Sequence, residues 1–385
     1  MKILHLIYTN GIAGAEKYLK HLLPPLHDHG IECHLIMVCA PGFESALEKY
    51  CAETRETGIP ASLIISTRNG FIKTAQSISA YLTKNDIHYI HSHLLNSDVL
   101  ATIVKLLFKR SVVIISTKHG YKESILKQIP NAQNIRSLKK ESRGELYYFV
   151  TRFVVKHAAY NYAVSKAISD LYFQLGLTKN IMPFIHHGVT VKELPKNIAL
   201  NNYRVSEKQL VIVGRLEEFK GHKYLIEAMV SVLVKYPDCK LIIIGEGGEK
   251  ENLKKLTREL KMENNILFIG FNNDPYSYVN NSDVIILPSL FEPFGLVYIE
   301  AFALKTPVVA FDTPAGNEIM ENETTALLVA ARDSAALSEK IIFLLDNPRF
   351  AQDMAARAYR KYIENFTTTR MVNDTARFYK DVRKN

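Results

Sequence analysis

Asp283-Val-Ile-Ile-Leu-Pro-Ser289-Leu-Phe-Glu292-Pro-Phe-Gly295-Leu-Val-Tyr-Ile-Glu300-Ala-Phe-Ala303 compresses a strand, a loop and the start of a helix into 21 residues. The run Val-Ile-Ile-Leu is short, apolar and β-branched, and it ends at Pro288, as a buried strand does. Pro293 suits a helix entry, because the N–H it lacks would find no intrahelical partner there anyway. A helix beginning around Phe294 to Leu296 leaves the amides of Phe294, Gly295 and Leu296 pointing at whatever lies in front of it, which makes that end an anion site. A strand feeding a helix through such a loop is the repeating unit of an α/β fold, whose ligands gather at the carboxyl ends of the strands.

The same alternation extends in both directions. Strand-like runs at residues 2–8, 34–38, 88–91, 112–116 and 161–164 are separated by helical stretches, as in a parallel sheet covered on both faces. A polar stretch containing Pro195, Asn197, Asn201 and Asn202 reads as a linker, and a second series then runs through 209–213, 240–244, 266–269, 284–287 and 307–310. At 385 residues the chain is too long for one core, since single cores seldom exceed roughly 250 residues. The expected organisation is two Rossmann-like domains, residues 1–190 and 208–365, joined by a linker at 191–207. From Ser334 the periodicity is helical, and residues 366–385 form an amphipathic helix expected to pack back on the N-terminal domain.

Composition narrows the class. With 47% hydrophobic and 23% charged residues the chain is globular, and no apolar run approaches the roughly 20 residues of a spanning helix. Residues 1–8 read as a strand rather than a signal peptide, so a cytoplasmic location is expected. Cys33, Cys39, Cys51 and Cys239 lack zinc-ligand spacing and read as reduced core thiols. The formal net charge of +9 is concentrated in residues 103–157, which hold 12 Lys and Arg against 3 Glu. There Leu138, Leu146, Tyr147, Tyr148, Phe149 and Phe153 interleave with Arg136, Lys139, Lys140, Arg143 and Arg152. That mixture fits an anionic membrane surface, or else a solvated basic face with its aromatics in the core. No motif for nucleic-acid recognition accompanies it.

Glu292 and Glu300 stand eight residues apart, about 12 Å along a helix, so they cannot act as one close carboxylate pair. A carboxylate at the loop mouth suits sugar hydroxyls, and one further into the helix suits a ribose diol; alternatively the first caps the helix and the second is solvated. Arg215 and Lys220 follow a predicted strand and either neutralise a phosphate or are surface cations. His119, after another strand, is either a site residue or a structural histidine, and Gly14 lies in a glycine turn opening the first helix. His91, His93, His186 and His187 have no acidic neighbour at ligand spacing and read as lining or structural residues, not a metal site.

Glu292-Pro-Phe-Gly-Leu-x-x-x-Glu300-Ala, followed by Pro307-Val-Val-Ala, closely resembles the E-x7-E signature of family 4 retaining glycosyltransferases. The resemblance implies the GT-B fold: two facing Rossmann-like domains, a deep interdomain cleft and a C-terminal helix returning to the N-domain. It implies that Glu292 contacts the donor sugar, that Glu300 holds the nucleotide ribose, and that the amides of Phe294, Gly295 and Leu296 reach sugar and phosphates. Gly214-Arg215-Leu216 and Lys220-Gly221 resemble the family's G-R-L…K-G element, whose cations neutralise the diphosphate. The loop Ala13-Gly14-Ala15-Glu16 resembles the family's G-G-A-E turn, with Ala13 in place of its first glycine. Lys118-His119-Gly120 resembles the His-Gly position beside the transferred sugar, and Gly245-Glu-Gly247-Gly248 resembles the family's G-x-G loop. The chain departs from the usual pattern at Ala303-Leu-Lys305-Thr-Pro307 and at Pro314-Ala-Gly316-Asn-Glu318, which bears on the shape of the sugar pocket.

Asp-x-Asp occurs nowhere, so helix amides and cations are expected to hold the diphosphate without a metal. The expected activity is transfer of a hexosyl or N-acetylhexosaminyl group from a nucleoside diphosphate sugar, by family frequency a UDP-sugar, to a glycan or lipid-linked acceptor in polysaccharide biosynthesis. No cofactor beyond that donor is implied. Phe271 and Tyr276 are candidates to stack on the base. A UDP-sugar epimerase of the same fold and a non-catalytic scaffold are the competing readings; retention of Arg215, Lys220, Glu292 and Glu300 together argues against the scaffold.

Overall fold

In a computed structural model, residues 1–67, 70–121, 145–191, 203–272 and 274–384 are described, and the chain divides into two compact units. One comprises Met1–Gly188 with Thr368–Asn385, the other Val189–Thr367. Most of the predicted linker, residues 192–202, lies outside the described residues.

The first unit holds a six-stranded parallel sheet of β1 (Lys2–Tyr8), β2 (Glu32–Cys39), β3 (Ala61–Ile65), β4 (Tyr89–His93), β5 (Val113–Lys118) and β6 (Tyr160–Ala163), in the order β3-β2-β1-β4-β5-β6. Parallel strands are covered on both faces, so they read as nearly continuous apolar runs. Accordingly Ile3, Leu4, Leu6 and Ile7 of β1 are all fully buried, Ile3 and Ile7 in one core and Leu4 and Leu6 in another. The core on the Ile3 side is closed by the helices Gly14–Asp28 and Thr368–Lys384, the second contributing Met371, Val372 and Tyr379. The final helix therefore belongs to the first unit.

In the second unit β7 (Gln209–Val213), β8 (Lys240–Ile244), β9 (Ile266–Gly270), β10 (Val284–Leu287), β11 (Val308–Phe311) and β12 (Leu327–Val329) form another parallel sheet, ordered β12-β11-β10-β7-β8-β9. The strand order reverses between β7 and β10, and in such sheets the carboxyl ends of the strands at the reversal hold the ligand. Two glycines permit the close packing there. At Gly221 (φ +73°) a Cβ would stand 1.8 Å from the Pro288 carbonyl oxygen, and at Gly245 one would stand 1.9 Å from that of Gly214. Both positions exclude any side chain.

Candidate functional site

Gly214 and Arg215 follow β7, and Pro288 to Gly295 follow β10, so the reversal of strand order places the two loops side by side. Between them lies a small pocket, lined by Gly214, Lys220, His222, Ser289, Glu292 and Gly295 among others. Lys220 is paired with Glu292, and the same Oε1 of Glu292 accepts a hydrogen bond from Ser289 Oγ (2.9 Å). The Lys220 ammonium also lies 5.5 Å from the Phe219 ring centroid, as the Arg215 guanidinium does at 5.3 Å, so one buried aromatic ring supports both cations. Gly295 (φ +99°) is the N-cap of the helix Leu296–Ala303; a Cβ there would come within 2.4 Å of the Tyr298 ring. Phe294 is buried, whereas Gly295 and Leu296 are part-exposed at the helix start.

Glu300 lies about one turn beyond Leu296 on that helix and is 6% exposed. Its Oε1 accepts from the Tyr276 hydroxyl (2.9 Å), and the two line a second small pocket with Val213 and Val297. Burial, then the Glu300 charge, pushes the Tyr276 phenol far above its ordinary value, so it remains a donor. Of the two candidates for base stacking, Tyr276 is thus engaged with Glu300, while Phe271 is mostly exposed. Thus the described second unit brings Lys220 and Glu292 into contact, with Gly214 beside them, and sets Glu300 apart with a partner of its own.

Gly14 and His119 belong to the first unit. Gly14 is the exposed first residue of its helix, and the preceding amide of Ala13 is taken by the Glu16 carboxylate (2.8 Å), a capping arrangement. Ala13 is extended (φ −134°), so the residue that replaces the family's glycine is unstrained. His119 lies just beyond β5, and its Nε2 meets His93 Nδ1 at 3.1 Å, whose Nε2 in turn meets His5 Nδ1 at 3.2 Å. His91 bonds Tyr379 (2.5 Å) and Thr117 (2.6 Å). Burial lowers His5 and His119 to about 3 and His91 and His93 well below the usual range, with neighbouring charges secondary, so all four rings are neutral. Among the described residues, His5, His91 and His93 form a group with ligand atoms within 4.8 Å of one another, the spacing a metal would need. Both nitrogens of His91 and of His93 have hydrogen-bond partners, whereas among the described residues His5 Nε2 and His119 Nδ1 have none. His5 has no sequence neighbour in this group, so only strand pairing could reveal it.

Directly before His119 in the chain, Lys118 forms a buried ion pair. Lys118 Nζ is 2.6 Å from Asp98 Oδ2, and the other carboxylate oxygen accepts from Ser92 and Ser116, both at 2.5 Å. Lys118 is therefore not part of the basic surface. Within residues 103–157 the segment 122–144, which carries Arg136, Leu138, Lys139, Lys140 and Arg143, lies outside the described residues. In the described part Tyr148 is buried, but Leu107, Leu146, Phe149 and Phe153 are exposed, Leu146 to 78%.

Comparison with known proteins adds an independent line. The family models for Glycosyltransferase Family 4 and Glycosyl transferases group 1 match residues 12–193 and 195–361. One curated relative is the N-acetylgalactosamine-N,N'-diacetylbacillosaminyl-diphospho-undecaprenol 4-alpha-N-acetylgalactosaminyltransferase of Campylobacter jejuni, 28% identical over 50% of this chain and 51% of its own length. Another is the N-acetyl-alpha-D-glucosaminyl L-malate synthase of Bacillus anthracis, 24% identical over 77% of this chain and 74% of its own. The chain spans about half the length of the first curated relatives it matches. Among solved structures, Anabaena HepE in complex with UDP superposes with a TM-score of 0.78 at 20% identity, covering 99% of this chain and 100% of that one.

Proposed function

From a chain that belongs to glycosyltransferase family 4, the group 1 glycosyl transferases, and has the GT-B fold, we propose a retaining enzyme that moves a sugar from a nucleoside diphosphate sugar to an acceptor hydroxyl. The observation that carries this reading is the Lys220–Glu292 pair at the carboxyl ends of β7 and β10. Breaking the bond between sugar and diphosphate leaves extra negative charge on the phosphate. A fixed cation aimed at that charge stabilises the transition state more than the ground state. In the proposed cycle Lys220 turns from Glu292 to the diphosphate with Arg215 beside it, and Glu292 is released to the sugar hydroxyls. Amides of Phe294, Gly295 and Leu296 complete the anion site, and Glu300 accepts the ribose diol. Gly14 and His119 keep the roles the family resemblance implies, an amide near the phosphates and an imidazole beside the sugar. The diphosphate itself assists departure, so no covalent nucleophile is assigned.

A UDP-sugar donor is favoured because HepE was solved with UDP. Calorimetry with UDP, GDP and ADP, followed by product analysis with the matching sugar donor, tests the proposal. UDP binding and sugar transfer are expected to survive exhaustive chelation, because in this proposal cations and helix amides hold the diphosphate in place of a divalent ion. Activity abolished by EDTA and restored by magnesium or manganese would overturn the metal-free site. Release of an epimerised sugar from donor alone would replace transfer by epimerisation.

We further propose a membrane-proximal, lipid-linked acceptor. The Campylobacter relative is named for a diphospho-undecaprenol substrate, and among the described residues no helix is long and apolar enough to cross a membrane. Exposed Leu146, Phe149 and Phe153 share the helix Leu146–His157 with exposed Arg152 and Lys156. This is the pairing that docks a peripheral protein on anionic lipid, where each Lys or Arg contributes about 1 kcal/mol. The protein is expected to sediment with anionic vesicles at low salt and to be released at high salt. Equal, negligible pelleting with anionic and neutral vesicles would remove the membrane from this account.

A further inference from the structure

His222, the first residue of the helix His222–Lys235, is only 2% exposed, and among the described residues neither of its ring nitrogens has a hydrogen-bond partner. It lines the same pocket as Lys220, Ser289 and Glu292. A Cβ built on Gly214 would stand 3.9 Å from Lys220 Cδ and 4.0 Å from His222 Cε1, so the lysine stem and the imidazole edge lie together beside the end of β7. Cε1 is the carbon between the two ring nitrogens, so both flank the edge nearest Gly214. Burial, then the Lys220 charge, lowers this imidazole to about 3, which leaves it neutral with one N–H donor and one bare acceptor. Buried polar groups are almost always bonded, and one left without a partner destabilises the free protein.

We infer that His222 is a donor-site contact whose N–H is completed by an oxygen of the bound diphosphate, next to Lys220. The inference rests on the proposed nucleotide-sugar site. In the free protein Lys220 and Glu292 are paired within the lining of this same pocket, and in the proposed cycle the diphosphate that draws Lys220 away from Glu292 takes the imidazole N–H as well. No group transfer through His222 is involved, because its role is to bind the leaving group.

The test is to measure UDP, inorganic pyrophosphate and uridine binding by calorimetry on the full chain, with thermal unfolding recorded in parallel, for the wild type, His222→Leu and His222→Gln. His222→Leu is expected to weaken UDP and pyrophosphate about tenfold or more, the range for a hydrogen bond to a charged group. Uridine affinity should stay unchanged, and the unfolding midpoint should be unchanged or raised, because two unpaired buried nitrogens are removed. His222→Gln, which keeps an N–H, should recover part of the UDP affinity. A purely structural histidine behaves in the opposite way: His222→Leu would melt lower and bind UDP as the wild type does, and either UDP bound equally by wild type and variant or an equal loss for uridine and UDP overturns the contact. If wild type binds none of UDP, GDP, ADP and pyrophosphate, the donor reading itself has failed and this inference falls with it.

Discussion

Glu292→Ala is expected to lower turnover by about 10²- to 10³-fold, the range for removing one preorganised group from a transition state, while UDP affinity changes little. Glu300→Ala is expected to do the reverse, weakening UDP binding by about tenfold or more through hydrogen bonds to a charged group. The asymmetry follows from the partners of the two carboxylates. Without ligand, Glu292 holds Lys220, so its removal frees a cation for the diphosphate while depriving the sugar of a positioned acceptor. Ser289 also loses its partner, but it is a neutral hydroxyl at the pocket wall. Among the described residues Glu300 has no cation as a hydrogen-bond partner. Its loss removes the acceptor proposed for the ribose and strands the Tyr276 hydroxyl in a small, part-buried pocket. Calorimetry with UDP and initial rates with the sugar donor measure the two effects separately. Equal loss of UDP affinity in both variants would refute this division of labour.

What makes these candidate residues legible in the sequence is local. Pro288, Pro293 and Gly295 punctuate a strand, a loop and a helix within a dozen residues, and each strand-like run predicted for the two series coincides with a strand of the structure to within two residues at either end. Two strands were not anticipated, β3 and β12, and both lie at sheet edges. Leu327–Val329 has only three residues, too few to give a periodicity, whereas Ala61–Ile65 is a short apolar run directly after Pro60 that the sequence does offer as a strand. Contacts between distant segments were the other blind spot. Lys220 and Glu292 were each singled out as ligands for substrate, yet nothing in their 72-residue separation suggests that they bind each other. The imidazole chain needs β1 to pair with β4, which brings His5 and His93 together across 88 residues. His222 had a faint signal, a polar ring directly after Lys220-Gly221, but its lack of partners exists only in three dimensions.

The largest expected loss of stability lies away from the donor pocket. Asp98→Leu is expected to destabilise the first unit by about 3–5 kcal/mol, because it leaves the Lys118 ammonium buried without its counter-charge. The pair is among the most enclosed ionic groups described, with side chains 5% and 3% exposed for Asp98 and Lys118. It joins three elements: Asp98 on the helix Leu95–Ile103, Ser92 on β4, and Ser116 and Lys118 on β5. Burying two charges is costly in itself, so the pair need not stabilise the fold relative to an apolar substitute of equal volume. The double variant Asp98→Leu with Lys118→Met is therefore expected to recover more than half of the stability lost by Asp98→Leu alone, as a double-mutant cycle in denaturant would show. Single variants within about 1 kcal/mol of wild type would mean that water reaches Lys118 and that the pair is worth no more than a surface ion pair. What the apolar pair cannot reproduce is direction: the lysine ties the end of β5 to a fixed carboxylate immediately before His119. The double variant is accordingly expected to fold well and still turn over more slowly than wild type, separating the cost of the buried charges from the positioning they provide.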